Sequence, residues 1–126
     1  MAGWTSDEFT KVGGADELQV TSLRSDGRPS SSRTIWVVPY GDDLYVRSVN
    51  GPTAAWFRGT QVRHEGRIIA GGVDRDVTFT DADHGIDHEI DAAYQAKYHR
   101  YPQNITDSMK TPGARSTTMR LVPVPR

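Results

Sequence analysis

Apolar and polar residues alternate with a period near two over much of this chain of 126 residues, and turn signals punctuate the alternation. Leu18–Leu23 (LQVTSL) reads as a half-buried strand, and Ser25-Asp26-Gly27 supplies a turn. Ser31–Tyr40 (SSRTIWVVPY) is rich in β-branched and aromatic residues, and Gly41-Asp42-Asp43 turns it back into Leu44–Val49 (LYVRSV). These three segments predict an antiparallel meander, with Pro39 at a strand end or edge because it has no donor for the ladder. A second pair, Arg67–Gly71 and Val73–Thr80, meets at Gly71-Gly72, which points to a bulge or a close backbone approach. Thr117–Val122 (TTMRLV) is the last strand.

Helical spacing is confined to three places. Trp4–Val12 predicts a short helix, capped by Thr5 or Ser6, with Asp7 and Glu8 in its first turn and Gly13-Gly14 as its stop. After the break at Asn50-Gly51-Pro52, Thr53–Gln61 predicts one or two turns weakened by Gly59. Asp83–Tyr98 is the clearest helix: Ile86, Ile90, Ala93, Tyr94 and Lys97 share one face at a period of 3.6, and Pro102 ends it. Strands that follow one another rather than alternating with helices argue against a doubly wound parallel sheet. The expected fold is mainly β (α+β), one domain over residues 1–126. Its core is a six-stranded antiparallel barrel with helical inserts, because closure removes the exposed edges.

Composition narrows the function. A formal charge of −1 excludes the large positive excess of a nonspecific nucleic-acid coat or a polybasic membrane anchor. The absence of cysteine removes thiolate nucleophiles, disulfides and zinc–thiolate sites. No apolar run is long enough to span a bilayer, and MAGWTSDEFT lacks the pattern of a signal peptide, so a cytoplasmic domain is expected. There is no GxGxxG before a helix, no GxxxxGK[ST], no HExxH and no GxSxG. Charge is unevenly placed: residues 76–91 hold six acidic side chains and no basic one, which also discourages DNA recognition by the long helix.

The segment Arg33–Trp56 carries the leading chemistry. Arg33, Arg47 and Ser48 lie near the break at Gly51 and the start of a short helix, where guanidinium, hydroxyl and free N–H groups suit an anion. Trp36 and Trp56 offer apolar walls for a planar ring. A phosphate with a planar ring is what a flavin-like cofactor presents.

Arg-x-x-Trp at Arg33–Trp36, Tyr-x-Arg-Ser-x-x-Gly-x-x-x-x-Trp at Tyr45–Trp56, and Gly-Arg-Ile-x-x-Gly-Gly at Gly66–Gly72 follow a helix in this order. With AAYQAKY (Ala92–Tyr98) and Leu121–Pro123, the pattern resembles the FMN-binding split-barrel superfamily. Within it, the nearest likeness is to small bacterial domains of unknown function near the deazaflavin-dependent nitroreductase branch. The resemblance implies a PNP-oxidase-like split barrel and a homodimer with cofactor in clefts at the subunit interface. It also implies a flavin- or deazaflavin-dependent oxidoreductase acting on a small organic substrate. It places the cofactor phosphate on Arg33 and on Arg47, Ser48 and Gly51. Two positions depart from the family pattern. The helix after the Gly51 loop lacks the Lys that many members carry, Arg58 being the nearest basic residue, and Ser25-Asp26-Gly27-Arg28-Pro29 stands in place of a Gly-Arg-Lys-Ser-Gly turn. FMN, the deazaflavin coenzyme F-420, or no cofactor therefore all stay open. A cofactor-free isomerase or cyclase in the same cleft and a non-catalytic ligand-binding dimer are the alternatives.

Two further groups bear on chemistry. Tyr94, Tyr98 and Tyr101 share a helix face flanked by Lys97, so Tyr98 with Lys97 is the candidate proton donor. The same spacing also describes rings that pack the helix on the barrel. His84 with His88, and Asp87 with Asp91, stand four apart and could ligate a divalent metal. A solvated acidic helix start explains them as well, and no metal is expected. His64 reads as a surface residue.

Overall fold

The computed structural model describes residues 3–125. Helix α1 (Ser6–Gly14) opens on a reciprocal cap: Glu8 N donates to Thr5 Oγ1, and Thr5 N donates to Glu8 Oε1. Gly13 and Gly14 belong to the helix rather than ending it, and Ala15 caps it in an extended conformation.

Seven antiparallel strands follow: β1 (Leu18–Ser22), β2 (Arg33–Ile35), β3 (Val37–Tyr40), β4 (Asp43–Val46), β5 (Glu65–Ala70), β6 (Val73–Asp81) and β7 (Met119–Pro123). Their order in the sheet is β2-β1-β5-β6-β7-β4-β3. The two edge strands are consecutive pieces of one segment, divided at Trp36. The sheet therefore curls until its ends meet at a single residue, giving a nearly closed barrel. The expected six strands become seven because Ser31–Tyr40 is split: its first half pairs with β1 and its second with β4. The expected meander exists only in these two halves.

Alternation along the strands fills the barrel. Leu18, Val20, Val37, Leu44, Val46, Ile68, Val77, Phe79, Met119 and Leu121 are buried in one cluster with Val12 and Phe57 from the helices. The hairpin between β5 and β6 turns on Gly71 and Gly72 alone, at φ +57° and +84°. Positive φ at both central residues suits the right-handed twist of the strands. A Cβ on Gly71 would also lie 2.3 Å from Lys11 O, so the expected close backbone approach is met, while a two-residue turn stands in place of the expected bulge.

Helix α2 (Ala55–Arg63) follows a short 3₁₀ turn at Gly51–Thr53, and His64 closes it in the left-handed region at φ 58°. Helix α3 (Asp87–Tyr98) follows a second such turn at His84–Ile86. It lies outside the barrel, where Ile90, Tyr94 and Tyr98 pack with Val38, Tyr45 and Met109. Asp91 is buried in this helix while Lys97 sits at the margin, so the buried stripe is rotated from the one periodicity predicts. The sequence pattern assigned nothing to residues 103–116, which form α4 (Gln103–Asp107), a 3₁₀ turn at Ser108–Lys110, and α5 (Pro112–Arg115), capped by Thr111. Among the described residues no helix is long and apolar enough to cross a membrane.

Candidate functional site

A cavity of about 410 Å³ opens where the barrel splits. Four pieces of chain wall it: Arg33, Thr34, Ile35 and Trp36 from the split strand; Arg47, Val49 and Asn50 around the loop after β4; Ala54, Ala55 and Trp56 at the start of α2; and Ile105, Ser108 and Met109 from residues 103–116. Arg33, Trp36, Arg47 and Trp56, chosen from sequence, do converge on one cavity.

Their states differ sharply. Arg33 is exposed, and its guanidinium donates only to the neighbouring Ser32 carbonyl at 3.1 Å. Arg47 is 1% exposed. Its Nε donates to Thr118 Oγ1 at 2.8 Å, and Nη1 donates to Asp91 Oδ1 at 2.5 Å and to the Met109 carbonyl at 2.9 Å. Nη2 donates to the Asp87 carbonyl at 3.2 Å. With its donors spent on the fold and its charge met by Asp91, Arg47 is not free to anchor a phosphate. Asp91 in turn bonds Arg115 on α5. Burial pushes the Asp91 carboxyl up, but hydrogen bonds from Arg115 and Arg47 outweigh it and hold the group below the ordinary carboxylate range.

Ser48 and Gly51 are likewise structural. Ser48 Oγ donates to the Gly51 carbonyl at 2.8 Å, and Ser48 N donates to Thr117 Oγ1 at 2.8 Å. Gly51 sits at φ +75°, where a side chain would strain the turn, and neither residue lines the cavity. The polar face that this loop gives the cavity is Asn50, which the sequence reading passed over. The loop also delivers α2, whose first turn has no side-chain cap. Ala55 and Trp56, in that uncapped first turn, line the cavity beside Arg33.

Trp36 is held flat against Tyr98, with centroids 3.8 Å apart and planes 4° from parallel, while Tyr101 tilts against it at 5.0 Å. Trp56 meets Phe57 edge to face at 6.3 Å. Tyr98 and Lys97 do not take the catalytic role the sequence offered. Tyr98 is fully buried, and its hydroxyl donates to the Asp16 carbonyl at 2.9 Å and accepts from Val37 N at 3.2 Å. Burial raises its pKa. Lys97 Nζ donates to the Val37 carbonyl at 2.6 Å, and burial lowers its pKa to about 8. Neither lines the cavity; together they fasten Val37, and with it the adjoining Trp36.

The acidic block is also accounted for. Asp91, with Asp87 at 3.8 Å, neutralises Arg47, and His84 Nδ1 lies 3.4 Å from Asp87 Oδ1. No group of three or more His, Asp or Glu suited to a metal occurs among the described residues. His64 is exposed, as expected.

A nearly closed antiparallel barrel, split at one strand and holding its cavity at the split, defines the PNP-oxidase-like split-barrel class. Solved structures of this class superimpose at low identity. HutZ, the heme storage protein from Vibrio cholerae, matches with TM-score 0.63 and 14% identity, covering 95% of this chain and 88% of its own. An F420 reductase matches with TM-score 0.60 and 10% identity over 92% of each chain. A "Putative Pyridoxamine 5'-phosphate oxidase" from Listeria innocua matches with TM-score 0.59 and 15% identity over 87% of this chain and 85% of its own. No curated protein matches the sequence. Within the class, the chain belongs to the family described as "Uncharacterized protein conserved in bacteria (DUF2255)", whose model matches residues 8–121.

Proposed function

We propose that this protein is a flavin- or deazaflavin-dependent oxidoreductase that passes hydride to or from a small organic substrate, and that it works as a homodimer. One observation carries the reading: the cavity pairs two indoles with anion-binding groups, and its described lining holds no carboxylate, imidazole, amine or phenol. Such a cavity suits a flat, negatively charged molecule, and a bound cofactor would bring the reactive chemistry with it. The cavity volume lies within the range typical of small-molecule sites.

FMN or F-420 would supply hydride transfer when bound. Arg33 and the free N–H groups at the start of α2 would hold the phosphate. Trp36, fixed by Tyr98, and Trp56 would border the ring, while Asn50 and Ser108 offer hydrogen bonds to its polar edge. Ile105, Met109 and Val49 would keep water out. Val49 and Ile105 are 49% and 43% exposed at the cavity wall, an apolar margin that a second copy would cover. The F420 reductase among the structural relatives lends further support.

The test is a titration of purified protein with FMN and with F-420, followed by tryptophan fluorescence, with mass measured by light scattering. Saturable quenching by one of them, on a dimer, is expected. Absence of quenching and of any thermal shift with both would reject the redox reading.

A further inference from the structure

We infer that Arg24 forms a second anion subsite, in a groove that shares a wall with the main cavity. This groove, of about 360 Å³, lies between the β1–β2 connection and α2 and shares Arg33, Ala55 and Trp56 with the cavity. Beside the apolar Leu23 and Val62, the rest of its lining adds a second guanidinium, Arg24, and the hydroxyl-bearing Ser22, Ser25, Ser30 and Ser31.

Charge pairing singles the groove out. Among the described residues, Arg28, Arg47, Arg63, Arg67, Arg75, Arg100, Arg115 and Arg120 each lie against a carboxylate. Arg24, Arg33 and Arg58 have no such partner there, and two of these three line this one groove. No acidic side chain lines it, and the nearby Asp26 is turned to Arg28 at 3.5 Å. Ser22 and Ser30 hydroxyls satisfy each other at 2.8 Å, whereas those of the exposed Ser25 and the exposed Ser31 have no described partner. Two guanidiniums and serine hydroxyls lining one groove match a carboxylate or phosphate on a hydroxylated carbon skeleton. That group belongs either to a separate small acid or to the far end of the molecule in the main cavity. The subsite goes beyond the redox reading and does not depend on it.

The full chain, in phosphate-free buffer, would be titrated with inorganic pyrophosphate and followed by NMR of the arginine Nε–H and tryptophan indole signals. Saturable shifts at Arg24, Arg33 and Trp56 are expected. Affinity should fall at least tenfold in Arg24→Ala, fall less in Arg24→Lys, and hold in Arg58→Ala, whose guanidinium is equally unpaired but lies outside the groove. Unchanged affinity in Arg24→Ala, or an equal loss in Arg58→Ala, would overturn the subsite. Repeating the titration with FMN present separates the two sources. Simultaneous binding identifies a separate acid; displacement of pyrophosphate, with FMN weakened by Arg24→Ala, identifies the end of the same molecule. If FMN does not bind at all, the redox reading fails, while the pyrophosphate result still decides the subsite.

Discussion

The two arginines that reach the cavity carry the same guanidinium into opposite environments. Arg47, just past β4, is enclosed by α3, the Ser108–Lys110 turn and β7, so every contact available to it is protein. Arg33, on the edge strand β2, has water and the cavity before it. A buried cation must be paired and hydrogen-bonded or its desolvation cost is not offset, and Asp91 provides that pairing. An exposed one keeps its donors for a ligand. The difference teaches that the availability of a charge is settled by what surrounds it, even for two arginines that border one cavity. The aromatic groups divide similarly: Trp56 and Trp36 face the cavity, while Tyr98 stands behind Trp36 as its support.

The sharpest way to break this contrast is Asp91→Ala. It strands the Arg47 charge in the interior and should cost about 3–5 kcal/mol in urea unfolding. A loss of only a few tenths would show that Arg47 is solvated after all. Because Asp91 has a folded pKa below its unfolded value, its contribution is present above about pH 4 and is lost as pH falls through the folded value. The wild type should therefore lose stability on acidification, and the variant should show a flatter acid limb.

Arg33→Ala should do the reverse. Stability should stay within about 0.5 kcal/mol. Affinity for a phosphorylated ring should drop by about 1.5–3 kcal/mol, tenfold or more, by fluorescence titration. Equal affinity in the variant would remove Arg33 from the anion site.

Tyr98→Phe tests the support role. Losing the hydroxyl leaves Val37 N without that partner and should cost about 1–2 kcal/mol in thermal or urea unfolding. Saturating ligand, below the melting transition, should restore wild-type turnover. Turnover abolished in a folded, loaded variant would return Tyr98 to catalysis.

Lys97→Met tests the same support through pH alone. Lys97 binds a proton less readily when folded, near pKa 8, than when unfolded, near about 10.4. The unfolded chain therefore holds more protons between these values, and wild-type stability should rise as pH climbs from about 8 to about 10. The variant should lack that rise, whereas a parallel rise in both would assign it elsewhere.

How much could be read beforehand follows from the range of each interaction. Strand alternation, the Gly71-Gly72 hairpin, the Thr5 cap and the helix ending at Tyr98 depend on neighbours a few residues away, and all were legible. Residues 103–116 were not, because helices of four or five residues leave no periodic stripe. The fourth wall of the cavity was hidden with them. Trp36 was visible as a ring but not as the hinge of the split strand, since its two flanks pair with different partners.

The sequence by itself determined the antiparallel barrel, most of its helical inserts and part of the cavity lining, Arg33, Trp36, Arg47 and Trp56, because alternation, turn chemistry and capping are local. Only the tertiary structure decided which of those residues remain free to bind. Arg47 meets Asp91 across forty-four positions and Tyr98 meets Val37 across sixty-one, and no local pattern encodes such distant neutralisation.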